Sequence, residues 1–339
     1  MSKAIYLTNK QAREFILSNK GLSAITNFWA NKELLILFIK RAVFNLDPID
    51  ICGKNSELVL RSRVKGFEKR QLDELLYKDR ILLDYFDKNL SIILTIILTT
   101  DWVYFGRYRQ SYQNNTKSFH EINAVCDEIK KIILKRGVIS SADINFGDTV
   151  DWYWNKTRLS RAALECMYYR GDLVICHKKG TIKYYDLSQN HIDAELLGAP
   201  EPYPDELDYL KWRLLRRIGA VGLLWNRPSD AWLNIWELKS DRRKQVFSQL
   251  LLEEKIIEAM VEGIDQKLYC LSSDMSLLEE AQNEPKQKAR CEIIAPLDNM
   301  QRAGWIDVFY IVGSREHVKG SFCTIGRREH IHPKGHNAY

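Results

Sequence analysis

The sequence contains no apolar run long enough to span a bilayer. Its most hydrophobic stretch, LSIILTIILTT at 90–100, falls well short of the roughly 20 residues that a membrane helix needs, and reads as a buried helix or strand. The N-terminus, MSKAIYLTNKQ, has no apolar core of a signal peptide, so no membrane partner is expected. Nucleotide-binding loops are missing as well. Gly53-Lys54 lacks the upstream glycine of a P-loop, Pro48 standing in its place, and no G-x-G-x-x-G occurs, which leaves no expected cofactor. The seven cysteines are scattered, odd in number and free of C-x-x-C spacing. They read as reduced, mostly buried thiols of a cytoplasmic protein. Cys323, His330, His332 and His336 are spaced C-x6-H-x-H-x3-H, which matches no strong zinc pattern, and no metal is expected.

At 339 residues the chain is long for one core, and two or three domains are expected. Its 45% hydrophobic and 28% charged residues are those of an ordinary globular protein. The net charge of +6 permits a polyanionic partner without demanding one, because placement matters more than the total. Basic residues cluster at Arg61/Arg63/Lys65, Arg158/Arg161, Lys211/Arg213/Arg216/Arg217 and Arg242/Arg243/Lys244. Each cluster taken singly also fits a solvated helix face.

One pattern recurs. FHEINAVCDEIKKIILKR at 119–136 carries Ile122, Val125, Ile129, Ile132 and Ile133 at helical spacing. Ser140 or Ser141 could cap a short second helix, a third runs from about Lys156 to Tyr169, and LVICHKKGTIKYYDL gives two strands around Lys-Gly. The same order returns at 205–219, 229–236, 240–254 and 255–273, with Leu173-Val174 lying 83 residues before Ile256-Ile257 and Tyr185-x-Leu187 lying 84 before Tyr269-x-Leu271. Helix, short helix, helix, hairpin is the winged-helix order. Near the N-terminus, 7–22 has a Thr8 cap and a stripe of Ala12, Phe15 and Ile16, followed by a helical pattern at 32–44. The polar stretch 108–118, the proline-bearing 198–206 and the charged 283–290 mark the linkers. The fold expected is mainly α with small β-hairpins (α+β): three tandem winged helices at 1–112, 118–198 and 204–284, then a segment at 285–339. Such modules bind DNA in most cases, although some serve as protein–protein modules.

Several blocks carry a resemblance. LTNKQAREFILSNKGL, FNLDPIDICGKNSELVLRSRV, LLYKDRILLDYFDKN, TRLSRAALECMYYRGDLVICHKKGTIKYYDL, LRRIGAVGLLWN and IIAPLDNM run in order from about residue 5 to 300. They resemble successive blocks of the winged-helix DNA glycosylases of the YcaQ/AlkZ type. The resemblance implies three winged helices around duplex DNA, excision of alkylated purines and, in some members, unhooking of interstrand crosslinks. It also implies double-stranded DNA containing alkylated bases as the partner of a monomeric enzyme. From Gln301 onward the sequence departs from the family pattern, and reads as a divergent, incomplete end.

The family's catalytic signature is Gln, an apolar residue, then Gln or Asp; here the positions read Asn45-Leu46-Asp47. On the residues alone, Asp47-Pro48 reads first as a helix start, with Asp47 capping and Pro48 at the first helical position. The resemblance adds a catalytic role. An alkylated purine is a good leaving group, so the enzyme's task is to stabilise charge building on the sugar and to align water, which suits the Asp47 carboxylate. The Asn45 amide can hold the water without adding charge. It is one methylene shorter than Gln, so weakened activity is expected. Arg61, Arg63, Arg158, Arg161, Lys178, Lys179, Arg216 and Arg217 are the candidate DNA contacts, with Lys178 and Lys179 on a wing tip. Trp232 and Trp236, four apart, are expected to pack on one helical face. The alternative function is that of a non-catalytic winged-helix DNA-binding or regulatory protein.

Overall fold

A computed structural model describes residues 4–22, 44–45, 53–64, 66–86, 90–94, 118–152, 155–233, 235–283, 291–295 and 323–326. The chain mixes helix and strand and divides into two compact units, 69–204 and 1–68 with 205–339. Among the described residues no helix is long and apolar enough to cross a membrane.

The unit 69–204 is built around a helix, Phe119–Arg136, whose buried stripe is Ile122, Cys126, Ile129 and Ile133. Cys126 thus takes the place expected of Val125, which is half-buried. Gly137, at φ +79, ends the helix, and Ile139–Ser140 forms a two-residue strand. No second helix follows among the described residues before the one at 159. The Ser140 N–H and hydroxyl both donate to Asp143 Oδ2 at 2.7 Å, which closes a turn in place of a cap, as short polar side chains readily do. A ribbon of Thr149–Asp151 and Lys156–Arg158 leads into the helix Leu159–Arg170. That helix starts three residues later than its sequence pattern suggests, and it stops at Gly171 in the left-handed conformation, φ +83. The hairpin Leu173–Lys179/Ile182–Leu187 turns at Gly180, φ +58, and ends in a 3-10 turn, Ser188–Asn190. Ile139–Ser140 pairs with its second strand, giving a three-stranded sheet. A separate hairpin in the same unit, Leu82–Phe86/Leu90–Leu94, covers the start of the apolar run. Arg80, in the loop before it, donates to the Ile175 carbonyl at 2.8 Å and so occupies part of an open sheet edge.

The other unit repeats the plan. The helix Glu206–Val221 is capped by Asp205, whose carboxylate accepts from the N–H groups of Leu207 and Asp208. There follow a strand Leu224–Trp225, a 3-10 turn Asp230–Trp232, the helix Ser240–Leu252, the hairpin Ile256–Val261/Ile264–Leu271 and a 3-10 turn Ser272–Asp274. Both hairpins close alike: Ser188 N–H bonds the Asp172 carbonyl and Ser272 N–H the Lys255 carbonyl, each at 3.0 Å. This second sheet gains a fourth strand, because Ile5–Leu7 pairs in parallel with Ala259–Val261.

That strand leads into the helix Asn9–Asn19, which has a complete capping box of Thr8 and Gln11. Ala12, Phe15 and Ile16 are fully buried, as their spacing predicts. The helical pattern at 32–44 lies outside the described residues apart from Phe44, which is in a strand with Asn45. A last strand pair, Cys291–Ile294 with Cys323–Gly326, belongs to the C-terminal segment. His330, His332 and His336 are outside the described residues.

Candidate active site and nucleic-acid interface

The strand Phe44–Asn45 lies beside the helix Asn55–Arg61. Asp47 lies outside the described residues, and of Asn45 only the backbone is described. The helix starts just after Gly53, whose φ of +122 favours glycine and where a Cβ would press on Leu58 at 3.3 Å. Its buried face is Asn55, Ser56, Glu57, Val59 and Leu60, while Arg61 is exposed at its end. Arg63 turns inward instead. It is buried, its Nε donating to the Lys20 carbonyl at 2.8 Å and its Nη1 to Val59 O and Ser62 Oγ. Lys20, also buried, donates to the Ala220 carbonyl near the C-terminal end of the helix Glu206–Val221, where a cation is favoured. These two cations tie three segments of the unit together.

The hairpin Leu173–Lys179/Ile182–Leu187 sets Lys178 opposite Lys183 and Lys179 opposite Ile182. Facing like charges repel, and each lysine has an acidic neighbour. Lys178 Nζ pairs with Asp84 Oδ2 at 2.7 Å, with side-chain exposures of 14% and 1%. Tyr77 donates its hydroxyl to the same oxygen at 2.8 Å, and Tyr168 donates to the Asp84 carbonyl at 2.6 Å. Burial, then the Asp84 charge, pushes both phenols far above their ordinary range. Lys183 lies 4.0 Å from Glu165, and burial lowers its pKa. Lys179 is exposed at the tip, 5.3 Å above the Tyr184 ring, which stacks on His177 at 4.3 Å. Arg158 and Arg161 are exposed nearby in sequence at the start of the helix Leu159–Arg170; Arg161 meets Glu165 at 3.5 Å. The other hairpin has an acidic tip, with Glu262 and Asp265 around Gly263; further down, Lys267 is paired to Glu258.

Three of the basic residues of 205–252 are internal. Arg217 is buried and donates to the Leu233 carbonyl at 3.1 Å; Arg213 is buried against Tyr209; Arg243 is buried, donating to Asn226 Oδ1 at 2.7 Å. Arg216 is half-buried with its guanidinium 5.3 Å from the Trp212 ring. The solvated face expected of this cluster is therefore found only in part. The paired tryptophans also separate. Trp232 is buried, edge-on to Phe247, and its indole N–H bonds the Arg227 carbonyl at 2.6 Å, whereas Trp236 is 74% exposed. The helical turn ends at Trp232, so the four-residue spacing no longer gives a common face.

The structure brings Arg158 and Arg161 to one helix start and Lys178 and Lys179 to one hairpin tip. Sequence reasoning missed Asp84, which lies 94 residues before its partner Lys178. It also missed the convergence of Cys176, Asp186 and His191, whose ligand atoms lie within 4.8 Å of one another. Nothing in the spacing of either set signals the contact.

The description "DNA glycosylase AlkZ-like" matches residues 42–310 of the sequence, so the chain belongs to the AlkZ-like DNA glycosylase family. By class it is a DNA-repair glycosylase, a hydrolase whose substrate is DNA. Among solved structures, the DNA glycosylase AlkZ of Streptomyces sahachiroi superposes with a TM-score of 0.59 at 14% identity, over 95% of this chain and 85% of that one. At that identity the likeness is one of fold. No curated protein matches the sequence.

Proposed function

We propose that this protein hydrolyses the N-glycosidic bond of alkylated purines in duplex DNA, including those in interstrand crosslinks, without a cofactor. The observation that carries the reading is the family match, which begins at residue 42 and so takes in Asn45-Leu46-Asp47. An alkylated purine carries positive charge and leaves with the bonding electron pair as a neutral base. The sugar becomes oxocarbenium-like, and the Asp47 carboxylate stabilises it and takes a proton from the water that adds to C1′. The Asn45 amide holds that water.

In this reading three winged helices, at 1–112, 118–198 and 204–284, present the duplex-binding surface. The helix–helix–hairpin order repeated at 119–190 and 206–274 supports the second and third. Phosphate contacts fall to the exposed Arg61, Arg158, Arg161 and Lys179. Arg63, Lys178, Arg216 and Arg217 act by supporting the surface from beneath. A reducing compartment, the cytoplasm, suits the free buried thiols Cys126, Cys166, Cys176 and Cys270.

The test compares wild type with Asp47→Ala on duplex DNA carrying N7-methylguanine, reading alkali-labile breaks on a denaturing gel. Wild type is expected to release base and the variant to fall to background. Equal breaks in both would leave a DNA-binding protein without this chemistry. Asn45→Gln is expected to raise the rate, by on the order of tenfold or more, if the missing methylene misplaces the amide by about 1 Å. A crosslinked duplex, scored for strand separation, tests the wider substrate range.

A further inference from the structure

One side-chain cluster in the unit 69–204 has no part in that chemistry. Cys176, buried, is the extra residue of a β-bulge, between the pairs Ile175–Tyr185 and His177–Tyr184. His191 follows the 3-10 turn Ser188–Asn190, and its Nε2 lies 3.3 Å from Cys176 Sγ and 2.7 Å from Asp186 Oδ2. The other carboxylate oxygen of Asp186 is already occupied, accepting from the Leu187 N–H at 2.8 Å and the Asn190 amide at 3.0 Å. Oδ2 is thereby held toward the imidazole.

We propose that Cys176, Asp186 and His191 form a binding site for a divalent transition-metal ion of the zinc type. Sulfur, imidazole nitrogen and carboxylate oxygen are the donor set zinc takes, and three protein ligands leave a fourth position to water. Ideal tetrahedral bonds would set sulfur and nitrogen about 3.5 Å apart and nitrogen and oxygen about 3.4 Å apart. The first distance needs a shift of about 0.2 Å and the second an opening of about 0.7 Å, within the reach of a side-chain rotation. The same nitrogen faces both partners. A Cys–His–Asp catalytic relay uses the two different ring nitrogens, one for the nucleophile and one for the carboxylate, so the arrangement suits a shared cation rather than a relay. The Asp186–Leu187–Asn190 bonds are the second-shell restraint that ligand carboxylates carry. Solvent reaches the site through His191 and Asp186, whose side chains are 22% and 12% exposed.

The scaffold does not require this cluster. In the repeated hairpin, the residues 83 or 84 positions on are Ala259, Cys270 and Met275; a hairpin forms there without the triad, and Ala259 is paired with Leu268, the register shift falling one residue later, so the bulge at Cys176 is not repeated. One group opposes a cation: the Arg80 guanidinium approaches the thiol and must yield to the metal. A bound ion would close the hairpin onto the turn that follows it, stiffening the strand that carries Lys178 and Lys179.

Purified full-length protein, stripped with a chelator and dialysed, would be titrated with Co2+. One equivalent is expected to bind and to give the near-ultraviolet absorption of a thiolate–cobalt bond, which Zn2+ then abolishes by displacement. Cys176→Ser is expected to remove that band and His191→Gln to weaken Co2+ binding at least about tenfold, while Cys270→Ser retains both. Asn190→Ala, which leaves all three ligands in place, is expected to weaken binding by about tenfold. The proposal is overturned by a wild-type protein with no thiolate band at one equivalent, or by a band that survives in Cys176→Ser. An Asn190→Ala protein that folds normally and binds Co2+ as tightly as wild type would overturn the second-shell part of the argument.

Discussion

Neighbouring lysines on one hairpin should fail in opposite ways. Lys178→Met removes the partner of a carboxylate whose side chain is 1% exposed, leaving Asp84 with the Tyr77 hydroxyl on Oδ2 and with no described hydrogen-bond partner on Oδ1. Breaking a buried pair from one side costs about 3–5 kcal/mol, and the 14% exposure of the Lys178 side chain favours the lower end. For a unit of this size, about 3 kcal/mol corresponds to a melting point lower by roughly 10 °C. DNA affinity, measured at a temperature where both proteins are folded, should change little. Lys179→Gln removes an exposed charge and should leave the unfolding free energy within about 0.5 kcal/mol of wild type, while lowering the slope of log K against log salt by about 0.9. Differential scanning calorimetry and fluorescence anisotropy across a salt series measure the two effects. Adding Asp84→Asn to Lys178→Met removes the stranded charge and should restore about 2 kcal/mol. The reasoning is refuted if Lys178→Met melts within 3 °C of wild type and takes the salt slope with it.

Other perturbations follow from single contacts. Gly222 ends the helix Glu206–Val221 at φ +91, and a Cβ there would meet Asn19 Oδ1 at 3.1 Å. Asn19 is held by its bond to Asp274 at 3.1 Å, so Gly222→Ala should cost about 2 kcal/mol in urea unfolding; a change under about 0.5 kcal/mol would show that Asn19 yields freely. Asp143, through the Ser140 hydroxyl and then its N–H, is held below the ordinary carboxylate value of 3.8. A depressed carboxylate pKa gives stability that is present above the unfolded value and lost as pH falls through the folded one. Asp143→Asn should therefore lower the melting point at pH 7, converge with wild type below about pH 4, and so flatten the acid limb of the melting curve. Burial pushes the Cys176 thiol up to about 11 and Cys270 up to about 12. Native protein should therefore be alkylated by iodoacetamide at these sites about a hundredfold or more slowly than after unfolding, as mass spectrometry of the modified peptides can show.

What was legible in the sequence is what local chemistry decides. The Thr8 cap with its Ala12, Phe15 and Ile16 stripe, the helix Phe119–Arg136, and the hairpin turning at Lys179-Gly180 each depend on residues within a few positions of one another. The recurrence at 83 and 84 residues was legible for the same reason, since two copies of one local plan leave two copies of one local pattern. Failures began where a short range of alternatives competes. Ser140 can cap a helix or fold onto Asp143, and a single acceptor three residues on decided it. Trp232 and Trp236 share a face only if the helix continues, and it does not. The buried arginines were out of reach on a different ground. Arg63, Arg217 and Arg243 look like a basic surface in sequence, because the carbonyls and the amide that receive them belong to other segments or to turns that composition does not predict, while Arg213 is received by Tyr209 one turn earlier on its own helix.

The two hairpins show how a repeated fold can be divided between tasks. Both close through a serine N–H onto the residue before the first strand, and both end in a 3-10 turn. Their side chains diverge. The hairpin at 173–187 holds Lys178 and Lys183 over the acids Asp84 and Glu165, presents Lys179 to solvent and is followed by His191 beside Cys176 and Asp186. The hairpin at 256–271 carries Glu262 and Asp265 at its tip, and its outer edge is paired with Ile5–Leu7. An acidic tip repels a phosphate backbone, and a paired edge has no backbone groups to offer. On the proposed function, a wing contact with DNA is expected from the hairpin at 173–187 rather than from the one at 256–271. Reversing charge at Glu262 should leave DNA affinity little changed, whereas reversing it at Lys179 should weaken binding at every sequence and more at low salt than at high.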